Sequence, residues 1–356
     1  MDYNFVIKKE NNILDPYEVL ETLGAGGFAT VREAKFKGIQ DYQFAIKSMR
    51  KKMNKLDMTK AIWNELDILN SLDHPNIANF NECYEDDTFL HAILEFSPGE
   101  CLAETYLREK NKLPLLDILK IFYQIVGTAS YLRKMEIIHR DYKPPNIMIY
   151  KTGNDSLLGY QIQLLDFGLA RRKKITTSEL FGSPHYIAPE CFDHKTSYPA
   201  DVWSIGIMLY FAIANQFPFE GETDEELYKS IQEDELTFKP ESSWADIPRS
   251  LKSLIQNMLE KNPRNRIDIE LIPSHDAFYD IHQIEDNVQL TRKEKVKLNR
   301  YFRLSPIQRK FMKYSTKFIP PKEKTPFCEK FTLLDIECNG YFEFTTSDEY
   351  SDSENS

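Results

Sequence analysis

The chain of 356 residues is long enough for one large two-lobed unit, and its 42% hydrophobic content supports a buried core. The formal net charge of -10 argues against a general nucleic-acid-binding protein. The five cysteines include no Cys-x-x-Cys pair, which predicts neither a disulfide framework nor a zinc site and favours a reducing, cytoplasmic location. No apolar run approaches the roughly 18 residues that span a bilayer, so stable membrane insertion is not expected.

A glycine-rich stretch opens the structured part of the chain, after a polar leader over residues 1–16. Gly-Ala-Gly-Gly-Phe-Ala-Thr-Val occupies 24–31, and exposed amides in such a turn can contact phosphates. A dinucleotide-binding fingerprint would require a helix directly after the glycines. The residues that follow instead form a hairpin pattern that ends with Phe-Ala-Ile-Lys at 44–47. We therefore favour a strand, a glycine loop and a second strand.

Lys47 lies in a strand that is predicted to be buried, so a role as a surface charge explains it poorly. Apolar residues then recur at helical spacing and predict a helix over residues 58–72 that carries Glu65. Solvated acids are common on helices, and this remains the simpler interpretation of Glu65 from its pattern alone. Two strands near 77–84 and 89–96 follow, and helical periodicity returns over 114–135.

Three short blocks in fixed order occupy the middle of the chain. They are His-Arg-Asp-Tyr-Lys-Pro-Pro-Asn at 139–146, Asp-Phe-Gly at 166–168 and Ala-Pro-Glu at 188–190. An acid and an amide in the first block, followed by an acid on a glycine-containing turn in the second, are what phosphoryl transfer requires. Each acid alone is also a good turn former. The order of the three blocks favours phosphoryl transfer over a simple sequence of turns.

With these blocks, the chain resembles the eukaryotic protein kinase superfamily over about residues 17–280. The resemblance implies an α+β bilobal fold, with a small antiparallel β-sheet lobe over 17–96 and a larger, mainly α-helical lobe over 97–280. It further implies ATP and Mg²⁺ as cofactors, with Mn²⁺ as a substitute for Mg²⁺, and protein substrates as partners. In that family Asp141 would be the catalytic base, Lys143 would neutralise the transferred phosphoryl group, and two residues would be metal ligands, Asn146 and Asp166.

The resemblance also implies a phosphate-binding part of the nucleotide site. Lys47 would bind the α- and β-phosphates and would pair with Glu65 on the following helix. The residues implied around the nucleotide on the small lobe are Leu23, Gly24, Ala25, Gly26, Gly27, Phe28, Val31 and Ala45.

The adenine side of the site is implied by the hinge between the lobes. Leu94 would be the gatekeeper, the backbone of Glu95 and Ser97 would face adenine, and Met148 would lie beneath it. Glu100 would hold the ribose or a basic substrate residue. An acid at a helix N-terminus is an equally good interpretation of Glu100.

Within the superfamily, the text at 72–77 and 204–218 looks closest to calcium-dependent protein kinases of plants and protists, in the calcium- and calmodulin-dependent group. Lys143, together with Ser183 before a proline, favours Ser/Thr specificity in that family. Pro145 replaces the usual acid of basophilic relatives and Tyr142 replaces the usual Leu. A strong Arg requirement in the substrate is therefore not expected.

Two further family positions concern activation and the structure of the large lobe. Glu179 lies where many kinases carry a phosphorylated residue, and its carboxylate could bind Arg140. We therefore expect activity without activation-loop phosphorylation, with Thr177 and Ser178 as lesser sites. Arg266 would pair with the glutamate of the Ala-Pro-Glu block as a structural device.

A basic segment follows the kinase-like region. Residues 281–330 are assigned as a regulatory or junction segment, and 291–324 contain 12 Lys and Arg residues against two Glu, interleaved with apolar residues. Such a pattern suits a helix that docks in a groove, and a regulator such as calmodulin could bind residues 291–330. A C-terminal helix that simply covers the large lobe is an equal alternative.

The last part of the chain resembles a degenerate EF-hand loop over 331–346, followed by an acidic, Ser-rich tail over 347–356 that is predicted to be disordered. Asp335, Glu337, Asn339 and Gly340 fit the first positions of the loop, but Thr346 stands where a bidentate glutamate is required. Tight calcium binding is therefore not expected, and the resemblance is to a shortened EF-hand tail.

These patterns predict a serine/threonine protein kinase that transfers the γ-phosphate of ATP and is restrained by its C-terminal segment. The rival from another class is a pseudokinase or scaffold that binds nucleotide without turnover. Because every catalytic residue is present, we favour the enzyme.

Overall fold

The computed structural model describes residues 6–8, 14–27, 29–37, 43–53, 56–109, 113–152, 158–172, 183–193, 195–285, 328 and 330–333. These residues form two lobes, and they confirm the predicted α+β class with a sheet-rich small lobe and a helical large lobe.

The small lobe is built on a six-stranded sheet in the order β1-β7-β8-β4-β3-β2. Strands β2 to β4, β7 and β8 pair antiparallel, and β1 pairs parallel with β7. The elements of this lobe are β1 Val6–Lys8, β2 Tyr17–Ala25, β3 Ala29–Phe36, β4 Gln43–Arg50, β5 Lys52–Met53, β6 Leu56–Asp57, α1 Thr59–Ser71, β7 Phe80–Glu85 and β8 Phe89–Glu95.

Strand β4 is the centre of this sheet, because Phe44 to Met49 are all buried between β3 and β8. An unbroken buried run is typical of a strand covered on both faces. Helix α1 covers one face with a stripe of buried residues at helical spacing, which includes Ile62, Glu65 and Leu69. Trp63 on the same helix is half-buried. Because Glu65 is buried within this apolar stripe, its carboxylate requires a polar or charged partner.

The large lobe is mainly helical and has short strands near the boundary between the lobes. Its helices are α2 Leu102–Arg108, α3 Leu115–Lys134, α4 Tyr198–Ala214, α5 Asp224–Glu233, α6 Glu241–Trp244, α7 Arg249–Met258 and α8 Tyr279–Glu285. Its strands are β9 Glu100–Cys101, β10 Ile137–Ile138, β11 Ile147–Lys151, β12 Tyr160–Leu164 and β13 Arg171–Arg172.

Helices α3 and α4 form the core of the large lobe, because 13 of the 20 residues of α3 and 14 of the 17 residues of α4 are buried. Helix α4 ends at Asn215, which adopts a left-handed conformation with φ of 54° and whose N–H donates to Phe211 O at 2.8 Å. Asparagine is one of the few residues that tolerate this conformation at a helix end. After this stop the chain reaches Phe217, whose ring contacts the rings of His185 and Tyr186.

Helix α3 also has the length and apolar composition of a membrane-spanning helix, but 72% of its most apolar window is buried inside the protein. A core helix of a globular lobe passes the same test.

A short helical segment well after α8 in the sequence packs against the core. Cys328 and residues 330–333 are helical, and Leu333 is 1% exposed within the main hydrophobic core. The ring of Phe331 contacts the ring of His74.

Candidate active site

The glycine-rich turn joins β2 to β3, as the hairpin pattern predicts. Gly26 N–H donates to Ala29 O at 2.8 Å and closes the turn. A Cβ added at Gly24 or Gly27 would meet no atom within 4 Å, so no neighbour within the protein requires glycine there. The small side chains instead leave open space over the exposed backbone, which suits contact with phosphate oxygens. Phe28 lies outside the described residues.

Lys47 lies between two carboxylates. Its Nζ is 2.6 Å from Glu65 Oε1 on α1 and 2.8 Å from Asp166 Oδ1, which follows β12. Lys47 and Glu65 are buried, whereas the side chain of Asp166 is 46% exposed. Asp166 also receives Gly168 N–H at 3.2 Å. The predicted pairing of Lys47 with Glu65 is therefore present, and Lys47 joins the two lobes through Asp166.

The charges in this triad affect one another's pKa values. Burial lowers the pKa of Lys47, but the charges of Glu65 and Asp166 outweigh burial and hold it above its usual value. Burial raises the pKa of Glu65, and Lys47 only partly opposes this. Burial also acts to raise the pKa of Asp166, but Lys47 outweighs it and the pKa is lowered. A charged lysine and an ionised Asp166 are what binding of a metal–phosphate group requires.

The predicted catalytic residues are brought together in the loop after β10. Asn146 Nδ2 donates to Asp141 Oδ2 at 2.8 Å, and Lys143 Nζ is 2.8 Å from the same oxygen. Asp141 is 7% exposed, so its side chain has little room to rotate. A fixed, ionised carboxylate beside a lysine can accept a proton from a hydroxyl group while the lysine contacts the transferred group.

The backbone of this loop is held from below by Asp201 on α4. Its two carboxylate oxygens accept His139 N–H and Arg140 N–H, each at 2.8 Å. Arg140 has a φ of 72°, a conformation that is costly for a non-glycine residue and persists only when neighbours fix it. Burial raises the pKa of Asp201 to about 6, against the opposing effect of the two N–H donors. Asp201 is a positioning residue, and it lies in none of the three sequence blocks that indicate the site.

The ring of His139 connects the catalytic loop to the Asp-Phe-Gly block. It contacts the ring of Phe167 edge-on at 4.9 Å and the ring of Tyr142 at 4.8 Å. Its burial lowers its pKa to about 4, so the imidazole is neutral near pH 7. Tyr142 therefore fills the position of the usual leucine with an aromatic packing contact, and its hydroxyl has no hydrogen-bond partner among the described residues. The replacement of the usual leucine by Tyr142 therefore changes the packing around His139, and Asp141 keeps its contacts with Asn146 and Lys143.

Asp166 and Asn146 fit the chemistry of a magnesium site. Asp166 has a φ of 56°, and its half-exposed carboxylate contacts Lys47 Nζ at 2.8 Å. Asn146 donates through its amide nitrogen to Asp141, so its amide oxygen is the atom available as a ligand. Mg²⁺ usually takes one or two protein oxygens and completes its shell with phosphate oxygens and water. The described residues hold no group of three or more His, Cys, Asp or Glu side chains that would form a metal cage alone.

The residues that the family resemblance places around adenine lie on both lobes. Ala45 pairs with Leu94 across β4 and β8, and Val31 pairs with Lys47 across β3 and β4. Met148 lies on β11 in the large lobe and is half-buried. Leu23 on β2 is 47% exposed. These apolar side chains therefore come from both lobes, as a flat aromatic base requires.

The hinge residues are held by hydrogen bonds, and the Glu95 N–H itself donates to Asn79 O at 2.8 Å. Glu95 is buried, and its carboxylate accepts Asn79 Nδ2 at 2.7 Å. Ser97 Oγ donates to Gln163 Oε1 on β12. Gln163 is a second positioning residue that the sequence patterns did not indicate, because a buried glutamine in a strand has no spacing signal.

Glu100 contacts its own lobe. Its carboxylate accepts Thr105 Oγ1 at 2.8 Å and forms an ion pair with Arg108, both on α2. Of the two interpretations of this residue, the acid preceding a helix describes the contacts observed here. A basic substrate residue would have to compete with Arg108 for the same oxygen.

The Ala-Pro-Glu block at 188–190 is fixed to the large lobe by the predicted ion pair between Glu190 and Arg266. Arg266 donates to both oxygens of Glu190, with N–O distances of 2.7 and 2.8 Å, and its guanidinium lies 5.1 Å from the ring centroid of Trp203. Bidentate pairs of this kind fix orientation as well as supply energy. Thr177, Ser178 and Glu179 lie outside the described residues, and so do residues 286–327 of the predicted regulatory segment 281–330.

The family model described as "Protein kinase domain" matches residues 17–278, which is more than half of the chain. The match includes the glycine-rich turn, the Lys47 triad, the catalytic loop and the Glu190–Arg266 pair. The chain therefore belongs to the protein kinase family, whose enzymes phosphorylate protein substrates.

Proposed function

We propose that this protein is a serine/threonine kinase that uses MgATP. The observation that carries the proposal is the joint placement of Lys47, Glu65 and Asp166 within 2.8 Å contacts, beside an Asp141 held by Asn146 and Lys143. The lysine, the metal-ligand candidates and the proton acceptor are thus assembled together. This supports turnover over the alternative of a pseudokinase or scaffold.

In this mechanism the bound MgATP supplies the γ-phosphoryl group. Lys47 binds phosphate oxygens, and Glu65 orients the lysine from α1. Asp166 and Asn146 would hold Mg²⁺, for which Mn²⁺ would be a substitute. Asp141 orients the substrate hydroxyl and accepts its proton at the carboxylate, while Lys143 stabilises the charge on the transferred group.

Preference for Ser and Thr is supported by Lys143 in the catalytic loop and by Ser183 before Pro184, features that favour these substrates in the family. Pro145 is exposed beside the catalytic loop and carries no charge. Together with the pairing of Glu100 to Arg108, this supports weak dependence on arginine in the substrate.

The proposal is tested with peptide libraries in which the central residue is Ser, Thr or Tyr. Wild-type chain and MgATP are assayed with and without calcium, and the Asp141→Asn variant serves as the control for contaminating kinases. We expect phosphorylated Ser and Thr peptides in wild type only. Nucleotide binding without phosphopeptide in every library would favour the pseudokinase, and phosphorylated Tyr peptides alone would refute the Ser/Thr assignment.

The regulatory part of the proposal rests on the sequence. Residues 291–330 restrain the enzyme, and calmodulin or another regulator releases it. The loop over 331–346 is not a tight calcium switch, because Thr346 cannot supply a bidentate carboxylate. A cytoplasmic location is supported by the free thiols of Cys83, Cys101, Cys191 and Cys328.

A further inference from the structure

Residues 330–333, which we call the anchor, are helical and pack on the kinase domain. Leu333 is 1% exposed and belongs to the main core. The Phe331 ring meets the His74 ring edge-on, with centroids 6.2 Å apart and an interplanar angle of 86°. Edge-to-face pairs at this distance are favourable beyond the area they bury. The anchor therefore makes specific contacts with one site on the domain.

That site is the loop that joins α1 to β7. His74 in this loop is 7% exposed, and its ring lies 4.8 Å from the ring of Tyr131 on α3. Tyr131 Oη accepts Asp73 N–H at 3.0 Å, and His74 Nδ1 accepts Asn76 N–H at 3.1 Å. The loop is thus held by α3 through Tyr131 and by the anchor through Phe331.

The loop is connected to the active site in two directions. Helix α1 precedes it and carries Glu65, whose carboxylate bonds to Lys47. After the loop, Asn76 O accepts Leu164 N–H at 2.7 Å, and Ile77 pairs with Leu164 in an isolated bridge. Leu164 lies two residues before Asp166. A shift of this loop therefore reaches both carboxylates that hold Lys47.

We propose that Phe331 and Leu333 are positioning residues for nucleotide phosphate binding, because they fix the α1–β7 loop and through it Glu65 and Asp166. The simpler interpretation is that the anchor only covers apolar surface and adds stability. The two interpretations differ in ligand dependence. A positioning role affects ligands that carry phosphates, whereas adenosine depends on the hinge and the apolar pocket. This inference rests on the proposed use of ATP.

The test compares full-length Leu333→Ala and Phe331→Ala with wild type. Leu107→Ala on α2 is the control, because Leu107 is also an apolar residue on a helix but is 75% exposed. Dissociation constants are measured by calorimetry for MgADP, which carries phosphates without turnover, and for adenosine. If the correctly placed population of α1 falls to about one tenth, the apparent dissociation constant for MgADP rises about tenfold. We expect this rise in both anchor variants, unchanged adenosine binding, and recovery in Leu333→Met.

A second measurement needs no ligand. Amide hydrogen exchange in nucleotide-free protein should be faster in α1 and in the α1–β7 loop of the anchor variants, and unchanged in Leu107→Ala. Equal weakening of MgADP and adenosine, or a lower binding stoichiometry with unchanged constants, would show a purely structural role and overturn the proposal. Unchanged MgADP binding in both variants would also overturn it. If wild type binds neither MgADP nor adenosine, the proposed function is refuted. The exchange data would then still show whether the anchor fixes α1 and the α1–β7 loop.

Should Leu333→Ala fail to fold, the half-buried Phe331 provides the milder variant. Faster exchange confined to α1 and the loop in Phe331→Ala supports positioning. Faster exchange throughout the domain, with no difference between the two ligands, contradicts it.

Discussion

Asp141 is held by its neighbours more firmly than most surface acids. Asn146 and Lys143 both contact Oδ2 at 2.8 Å. An asparagine at position 141 has the same shape but no negative charge and no capacity to accept the hydroxyl proton. The Asp141→Asn substitution therefore removes the proton acceptor and keeps the shape of the side chain.

We predict that Asp141→Asn lowers kcat by at least ~10²-fold, the smallest effect expected for removal of a general base. Nucleotide binding measured without metal should be unchanged, because Asp141 contacts the hydroxyl rather than the nucleotide. Asp166→Ala should instead lose transfer together with magnesium-dependent binding. A phosphopeptide yield from Asp141→Asn within about tenfold of wild type would contradict the assignment.

His74 provides a pH-dependent contribution to stability. Burial lowers its pKa from 6.5 to about 3 in the folded state. Between these values the unfolded chain binds a proton that the folded chain does not, so the free energy of unfolding decreases as pH falls. The loss is about 1.4 kcal/mol per pH unit. Buried His139 acts in the same direction, and Asp201, with its raised pKa, acts in the opposite direction.

We therefore predict that His74→Gln has a shallower loss of stability than wild type between pH 6.5 and 5, by about 2 kcal/mol. Urea unfolding at several pH values measures this difference directly. Comparison with the variant removes the contributions of His139 and Asp201, since both proteins contain them. Parallel stability curves would show that His74 titrates normally in the folded state.

At the scale of elements, local pattern predicted most of the fold. The helix expected over 58–72 is α1 at Thr59–Ser71, and the helix expected over 114–135 is α3 at Leu115–Lys134. Long apolar stripes fix such elements, because burying them dominates local preferences. Strand β7 begins at Phe80 rather than near Ile77, because Ile77 pairs with Leu164 of the large lobe instead of with β8.

Elements fixed by distant contacts could not be predicted in this way. Strand β1 has only three residues, which pair parallel with β7 within the stretch expected to be a leader. The helical residues 330–333 carry no long periodic pattern, and Phe331 is the first residue of the range 331–346 that was assigned to the EF-hand-like loop. In both cases the partner is remote in sequence, so no local signal exists.

Helices α4 and α7 approach closely at Gly206. A Cβ added there would lie 2.9 Å from Leu259 Cδ2 and 3.0 Å from Met258 Cβ. We predict that Gly206→Ala destabilises the protein by about 1–3 kcal/mol, the usual cost of overpacking a core. Denaturant unfolding measures this effect.

The same contact can be tested by a double-mutant cycle with Leu259→Ala. Because the smaller side chain removes the nearest clashing atom, the two substitutions together should cost less than the sum of the single changes. Additive effects would indicate that the close approach is relieved elsewhere.

At the scale of the whole molecule, sequence motifs indicate the candidate catalytic residues but not the residues that hold them in place. The sequence patterns indicated Lys47, Glu65, Asp141 and Asp166, because short motifs in fixed order carry them. They did not indicate the roles of Asp201, which accepts two hydrogen bonds from the catalytic loop, or of Gln163, which accepts one from the hinge. Positioning residues of this kind have no motif of their own.

The basic segment 291–324 gives a prediction for the whole chain. Its 12 Lys and Arg residues lie in a protein of net charge -10 and should be attracted to acidic surfaces. Replacing all 12 by Gln keeps the segment length and leaves Leu333 in place. We predict higher peptide phosphorylation in this variant, and a smaller gain when wild type is assayed at high salt. Unchanged activity would remove the inhibitory role.

A chain that ends near residue 284 provides the informative comparison, because it lacks both the basic segment and the anchor. If the segment restrains the kinase and the anchor supports it, this truncation should gain less activity than the charge-neutral variant. Its MgADP binding should also be weaker than that of wild type.

The position of Trp63 provides an optical probe of the small lobe. The chain has three tryptophans, and the other two, Trp203 and Trp244, are 0% and 2% exposed in the large lobe. Only Trp63 is half-buried, and it lies two residues before Glu65 on α1. An aqueous quencher such as iodide should therefore reduce the emission of this one indole and leave the other two unaffected. Ordering of α1 by MgADP should reduce the quenchable fraction in the native chain, without any attached dye, and emission unaffected by nucleotide would indicate that α1 is equally ordered without it.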